Sequence, residues 1–268
     1  MSLTAIFGAG VMGETLLAGL LRAGWQTDEL LVTERRPERA AELREKHGVE
    51  VLDNSAAAQK ASTLVLVVKP QDMGTLLDEI SPHVQRDALV VSLAAGITTA
   101  FLESHLPQGV AVVRVMPNTP ALVDEGIAAI SPGSHCDDDH LGVAERLLAA
   151  TGKVVRVPEK HQDAVTAISG SGPAYIFYVV EAMIEAGVLL GLPRATATEL
   201  TVQTLVGAAK MLRETGEHPT VLRENVTSPA GTTVAALREL DDHKVRAAFL
   251  TAMEAARDRS RELASGHG

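Results

Sequence analysis

A chain of 268 residues, 46% hydrophobic and 22% charged, can fold into two modest domains with buried cores and is too apolar to be mainly disordered. Its formal charge of −10, with 34 acidic against 24 basic residues, repels phosphate backbones, and aromatics at 3% leave little to stack bases on, so nucleic acid is not an expected partner. The single cysteine, Cys136, excludes an intrachain disulfide and suits a reducing cytoplasm; no run reaches the roughly 18 apolar residues of a membrane span, and Met1 to Ala9 has no basic residue such as a signal peptide carries.

The first half alternates β-rich runs with helical patterns. Leu3 to Phe7 reads as a strand, Val11 to Ala23 as a helix with Leu16, Leu17, Leu20 and Leu21 on one face, and Leu30 to Thr33 as a strand. A charged helix follows over Pro37 to His47, with Pro in its first turn, then a short strand over Val49 to Val51. Leu64 to Val68 is continuously apolar, as a central parallel strand buried on both faces must be. A helix near Met73 to Ile80, a strand over Ala88 to Leu93 and a helix over Thr98 to His105 come next. Further strands are expected at Val110 to Val115, Gly126 to Ile130 and Lys153 to Val157, with a helix over Leu141 to Ala150. After Pro158 no β-rich run follows; helical patterns span Pro173 to Leu190, Pro193 to Glu214, Gly231 to Leu240 and Lys244 to Leu263, and Ser265 to Gly268 reads as a loose end. The expected class is α/β: an N-terminal doubly wound parallel-sheet domain over residues 1–158, then an all-α C-terminal domain over 159–268. The long Ala- and Leu-rich helices of the second domain carry more apolar surface than one small domain needs, which points to pairing with a second subunit.

Gly8-Ala9-Gly10-Val11-Met12-Gly13 fits G-x-G-x-x-G between a strand and a helix. In that place the first glycine permits the turn, the second admits a pyrophosphate close to the backbone, and the third lets helix and strand pack closely. The tip of the second strand chooses the cofactor: Glu34 would hold a ribose 2′-OH and favour NAD(H), whereas Arg35 and Arg36 would pair with a 2′-phosphate and favour NADP(H). A solvated strand end is the plain alternative for those arginines; NADP(H) is the expected preference, with NAD(H) possible. Val67-Val68-Lys69-Pro70 ends the buried strand abruptly, and Ala94-Ala95-Gly96 follows the next; both fall where a doubly wound sheet places ligands.

Asn225 to Thr233 breaks structure at Pro229 and Gly231 and then resumes a helix, so it offers backbone N–H groups and threonine hydroxyls to a substrate carboxylate. An ordinary Thr cap would look the same. The run His135 to His140 contains potential metal ligands, but consecutive residues scatter around an element's axis, and acidic residues there serve the next helix's start; no metal is expected.

These blocks together are similar to the pyrroline-5-carboxylate reductase family. T-S-P-A-G-T-T-x-x-A-L-x-x-L-D within Val226 to Asp241 resembles its signature, as do Gly8 to Gly13, V-V-K-P, Met116 to Pro120, Asp163 to Tyr175 with S-G-S-G-P-A-Y, and Gly191 to Arg194, spread in order along nearly the whole chain. The resemblance implies NAD(P)H-dependent reduction of Δ1-pyrroline-5-carboxylate to L-proline, the last step of proline synthesis, in the cytoplasm. It implies a Rossmann domain followed by a helical domain that interlocks in dimers, often built into decamers. It places the substrate carboxylate at Ser228 to Thr233, thus at Ala230, Gly231 and Thr232, with Thr233 near the ring nitrogen and Glu159 beside the substrate; Thr233 and Ser228 are the candidate catalytic residues. It puts Asn54, Lys69, Ala94, Ala95 and Asn225 on cofactor-contacting positions. Two departures stand out: Ala230 where glycine is common, implying a stiffer loop, and T-E-R-R at the second-strand tip.

Two other readings meet residues that do not suit them. A β-hydroxyacid dehydrogenase needs a base, commonly a lysine early in the second domain, and no Lys occurs between Lys160 and Lys210; Tyr175 there reads as core. A non-catalytic dinucleotide sensor has no need of the polar loop Ser228 to Thr233.

Overall fold

The structure, a computed structural model, describes residues 3–265. Two compact units form among them: residues 3–171 with 256–265, and residues 172–255.

The first unit is an eight-stranded sheet, β1 (Thr4–Phe7), β2 (Leu30–Thr33), β3 (Glu50–Leu52), β4 (Thr63–Leu66), β5 (Leu89–Ser92), β6 (Ala111–Met116), β7 (Gly126–Pro132) and β8 (Gly152–Arg156), in the order β3-β2-β1-β4-β5-β6-β7-β8. Helices α1 (Val11–Arg22), α2 (Pro37–His47), α3 (Asn54–Lys60), α4 (Met73–Ile80), α5 (Thr99–His105) and α6 (Asp138–Leu148) link them, and α7 (Gln162–Val165) follows the last strand. Alternating side chains of each strand feed two cores. Ile6, Val32, Val65, Val91 and Val113 meet Leu16, Leu17 and Leu20 of α1, Leu43 of α2 and Leu147 of α6. Ala5, Phe7, Leu31, Leu64, Leu66 and Val90 meet Ala57 of α3, Leu77 of α4 and Leu102 of α5. Burial on both faces is why these strands read as unbroken apolar runs.

One pairing corrects the expectation of a wholly parallel sheet: β7 runs antiparallel to β6, Val113 opposite Pro132. A parallel return needs a crossover of about a dozen residues or more. Between β6 and β7 there is only a 3-10 turn over Thr119–Val123. β8 then lies parallel to β7, with α6 as the crossover. Helix α6 begins at Asp138, three positions before its expected start, because Asp137 caps it by accepting from the N–H of His140 at 3.0 Å.

The second unit is helical: α8 (Gly172–Leu189), α9 (Arg194–Thr215), α10 (Pro219–Asn225), α11 (Thr232–Asp242) and the first half of α12 (Val245–Ser265), whose last turns belong to the sheet unit. Its surface is strongly apolar for a solvated bundle; Phe177 and Tyr178 on α8 are 67% and 75% exposed. The helical run Glu159–Leu189 is long and apolar enough to cross a membrane by length and composition alone, with a stretch of mean hydropathy 1.3 within it. No unbroken run of about 18 apolar residues occurs in it, because isolated polar positions such as Glu181 interrupt the count without lowering the average much. Ser265 closes α12; the rest of the expected loose end, residues 266–268, lies outside the described residues.

Candidate active site

The sheet's carboxyl edge is where the site starts. Phe7, Leu66 and Ser92 are register partners at the ends of β1, β4 and β5, and Thr33 and Leu52 continue the row on the other side. The N–H of Val67 donates to the carbonyl of Phe7 at 2.8 Å, and that of Leu93 to Leu66 at 2.9 Å. Gly8 to Gly13, the Glu34 to Arg36 turn, Asn54, Val67 to Pro70, and Ala94 with Ala95 therefore leave the sheet side by side. The strand order reverses direction between β1 and β4, the place where open α/β sheets bind ligands.

The glycine turn fits a dinucleotide pyrophosphate. Gly8 has φ +100°, a region closed to most side chains. A Cβ on Gly13 would fall 2.0 Å from the carbonyl oxygen of Gly8, so only glycine lets α1 start this close to β1. At Gly10, by contrast, a Cβ would meet nothing within 4 Å: the turn opens there onto free space. Gly10 is the N-cap of α1 and gives no side-chain bond. The first N–H groups of the helix, from Val11 onward, thus keep their donors and the positive end of the helix for an anion. Ala9 is buried beneath the turn, while Met12 is partly buried against the core.

At the tip of β2 every charge is engaged. The Glu34 carboxylate accepts from the backbone N–H of Arg36 at 2.9 Å and from its guanidinium at 3.1 and 3.0 Å, which holds the carboxyl below its usual range against the opposing effect of burial. Arg35 reaches instead to Glu79 on α4 at 3.1 Å, and the same oxygen of Glu79 accepts from the Asn54 side chain at 3.0 Å. Sequence reasoning found Arg35, Arg36 and Asn54 but not Glu79, which lies on a different helix and carries no local signal.

Lys69 is exposed and starts the 3-10 turn Pro70–Asp72. Ala94 is buried and Ala95 exposed, followed by Gly96 at φ +77°. Thr98 then caps α5, accepting from the N–H of Phe101 at 3.1 Å. Glu159 is committed to this segment: one oxygen accepts from the N–H of Thr99 at 2.8 Å, the other from the Thr99 hydroxyl at 2.6 Å, and the buried Arg114 of β6 pairs with it at 3.2 Å. The structure therefore shows Glu159 as an anchor for the start of α5. Arg114 and Thr99 are a second pair that sequence reasoning missed, since neither has a motif around it.

In the helical unit, Asn225 ends α10, and the loop from Val226 leads to α11, whose N-cap is Gly231. That helix start carries no side-chain cap, so the ordinary threonine cap weighed above is not formed. Thr232 and Thr233 are its first two residues; Thr233 is half-buried, Thr232 and Ser228 exposed. The Ser228 carbonyl accepts from the N–H of Gly231 at 3.0 Å, closing the turn. Ala230 within it has φ 55°, the left-handed region that favours glycine.

Elsewhere, the described residues hold no group of three or more His, Cys, Asp and Glu arranged for a metal ion. Cys136 donates to the carbonyl of Val112 at 2.9 Å, and burial raises its thiol above the ordinary range.

Comparison with known proteins agrees with this geometry. Residues 159–263 match a family described as pyrroline-5-carboxylate reductase dimerisation, and residues 4–96 match one described as NADP oxidoreductase, coenzyme F420-dependent. The chain is 47% identical to a pyrroline-5-carboxylate reductase of Corynebacterium melassecola, covering 98% of this chain and 99% of that one. It is 42% identical to the enzyme of Methanosarcina acetivorans, over 96% of each. Among solved structures, the pyrroline-5-carboxylate reductase of Coxiella burnetii superposes with a TM-score of 0.93 at 38% identity over 98% of both chains. The Plasmodium falciparum pyrroline carboxylate reductase, solved with NADP bound, gives 0.87 at 28% identity, again over 98% of both.

Proposed function

The chain belongs to the pyrroline-5-carboxylate reductase family, oxidoreductases that reduce Δ1-pyrroline-5-carboxylate to L-proline with a nicotinamide cofactor, and we propose that its two units divide that work. The sheet unit holds the dinucleotide. Gly8, Ala9, Gly10, Val11, Met12 and Gly13 take the pyrophosphate, Asn54 with Arg35 and Arg36 the adenosine end, and Val67, Val68, Lys69, Pro70, Ala94 and Ala95 the remainder, joined by Asn225. The preferred cofactor in this reading is NADPH, supported by the two arginines that follow the tip of β2, of which Arg36 pairs with Glu34 and Arg35 with Glu79. The helical unit holds the substrate: the free N–H groups at the start of α11, with Ser228, Ala230, Gly231 and Thr232, take the carboxylate.

When bound, the reduced nicotinamide supplies the hydride. The residues of the chain have little else to do, because a protonated cyclic imine is already electrophilic; holding it in line can contribute up to roughly 7–11 kcal/mol in the best cases. Carbon gains the hydride, the C=N double bond becomes single, and nitrogen keeps its proton. Thr233 holds that nitrogen by a hydrogen bond. A threonine hydroxyl is too weak an acid to be the proton source itself, so the proton comes from water. Glu159, through Thr99, steadies the segment after Ala94 and Ala95.

The observation that carries this reading is the glycine turn closed against Gly13 and open at Gly10, at the head of an uncapped helix. The test is loss of reduced-nicotinamide absorbance on adding pyrroline-5-carboxylate, with NADPH and NADH in parallel. Thr233→Ala should lower kcat by about 10- to 100-fold; an unchanged kcat removes Thr233 from the reaction. The dimerisation region makes the protein an oligomer; we place it in the cytoplasm, with dimers as the unit of a decamer.

A further inference from the structure

The adenosine end of the site is electrically balanced, and the balance is set from outside the strand tip. Its walls carry Glu34, Asp53 and Glu79 against Arg35 and Arg44, with Arg36 folded back onto Glu34. Arg44 is spent on the carbonyl of Val51 at 2.9 Å and Asp53 on the N–H of Ala56 at 2.7 Å. Arg35 is then the cation free to change partner, being bound through one contact at 3.1 Å with its side chain largely exposed. Its partner Glu79 is more enclosed and is also fixed by the buried Asn54.

We infer that Glu79 is a specificity-determining residue: its carboxylate competes with a cofactor 2′-phosphate for Arg35 and so holds down the preference for NADPH over NADH. The inference rests on the cofactor reading above. A phosphate monoester brings a charge near −2 at neutral pH. To be paired by Arg35 it must draw that side chain away from Glu79 and then remain near the abandoned carboxylate. A ribose 2′-OH needs neither. The asymmetry lies in charge alone, because Glu79→Gln keeps an oxygen that accepts from Asn54 and leaves the pocket's shape in place.

The test is equilibrium binding of NADPH and NADH by calorimetry to the full-length protein and to Glu79→Gln, Arg35→Ala and the double variant, with turnover of pyrroline-5-carboxylate followed alongside. Glu79→Gln should tighten NADPH about five- to tenfold at low salt and change NADH by less than about twofold, and added salt should shrink the gain. On the Arg35→Ala background the gain should shrink, because only the direct repulsion between Glu79 and the phosphate is left to relieve. A ratio of the two affinities that does not move, both cofactors moving together, or a gain undiminished by loss of Arg35 would each overturn the role of Glu79. Wild-type turnover of pyrroline-5-carboxylate with an unmoved ratio removes this inference and leaves the activity standing; absence of turnover or of dinucleotide binding removes the activity reading itself.

Discussion

At the scale of single residues, conformation decides more than chemistry. Ala230 is an L-residue in the left-handed region, at a position in the turn before α11 where a glycine would carry no penalty. The steric cost is about 1–2 kcal/mol, and a glycine gives back about 0.4–1 kcal/mol through greater freedom in the unfolded chain. The net expectation for Ala230→Gly is a gain of about 0.5–1 kcal/mol in urea unfolding; a loss of stability would show that the turn is not strained. Residues whose role is local were legible from sequence. Gly8 and Gly13 follow a strand at fixed spacing, and Gly231 with Thr232 and Thr233 opens a helix. Glu79, Arg114 and Thr99 were not, because each acts on a partner brought near only by folding: Glu79 on Arg35, Arg114 and Thr99 on Glu159.

At the scale of elements, one carboxylate ties two helices. Glu14 of α1 meets Arg39, Lys46 at 2.9 Å and His47 at 3.0 Å, all from α2. The His47 contact is the largest cause, Lys46 next, of a carboxyl held from 4.5 down to about 2, with burial opposing. A carboxyl lowered by folding stabilises fully above its unfolded value and loses that contribution as acid protonates it. The stability gap between the wild type and Glu14→Gln should therefore close as pH falls from 4.5 toward 2. Urea midpoints across that range check it, and a gap that stays open would refute the tie. The long helices of the second unit were read within a residue or two at their ends, and α6 within three. The misses have physical causes: α3 and α10 are helices of seven residues with too few large apolar side chains to mark a stripe. The antiparallel β7 is invisible in its own apolar residues, since direction is set by how little chain connects it to β6.

At the scale of the whole molecule, the exposed apolar surface of α8 has a use in the family's dimerisation region. A membrane-spanning reading of the same helix rests only on length and composition. Sedimentation should give a dimer or a multiple of it, and Phe177→Glu with Tyr178→Glu should release monomers; a monomeric wild type would refute the pairing. The two units are also unequal in how they are threaded. The last turns of α12 lie with the sheet, where the hydroxyl of Ser260 donates to Asp163 at 2.8 Å and the backbone of Ala264 lies against Gly96. On the ribosome the sheet's eight strands emerge early, yet the piece that seats against Gly96 is translated only after the helical unit. The N-terminal half must wait, nearly finished, until the C-terminal half has been made, and a premature stop near residue 255 would deprive the half that was synthesised first.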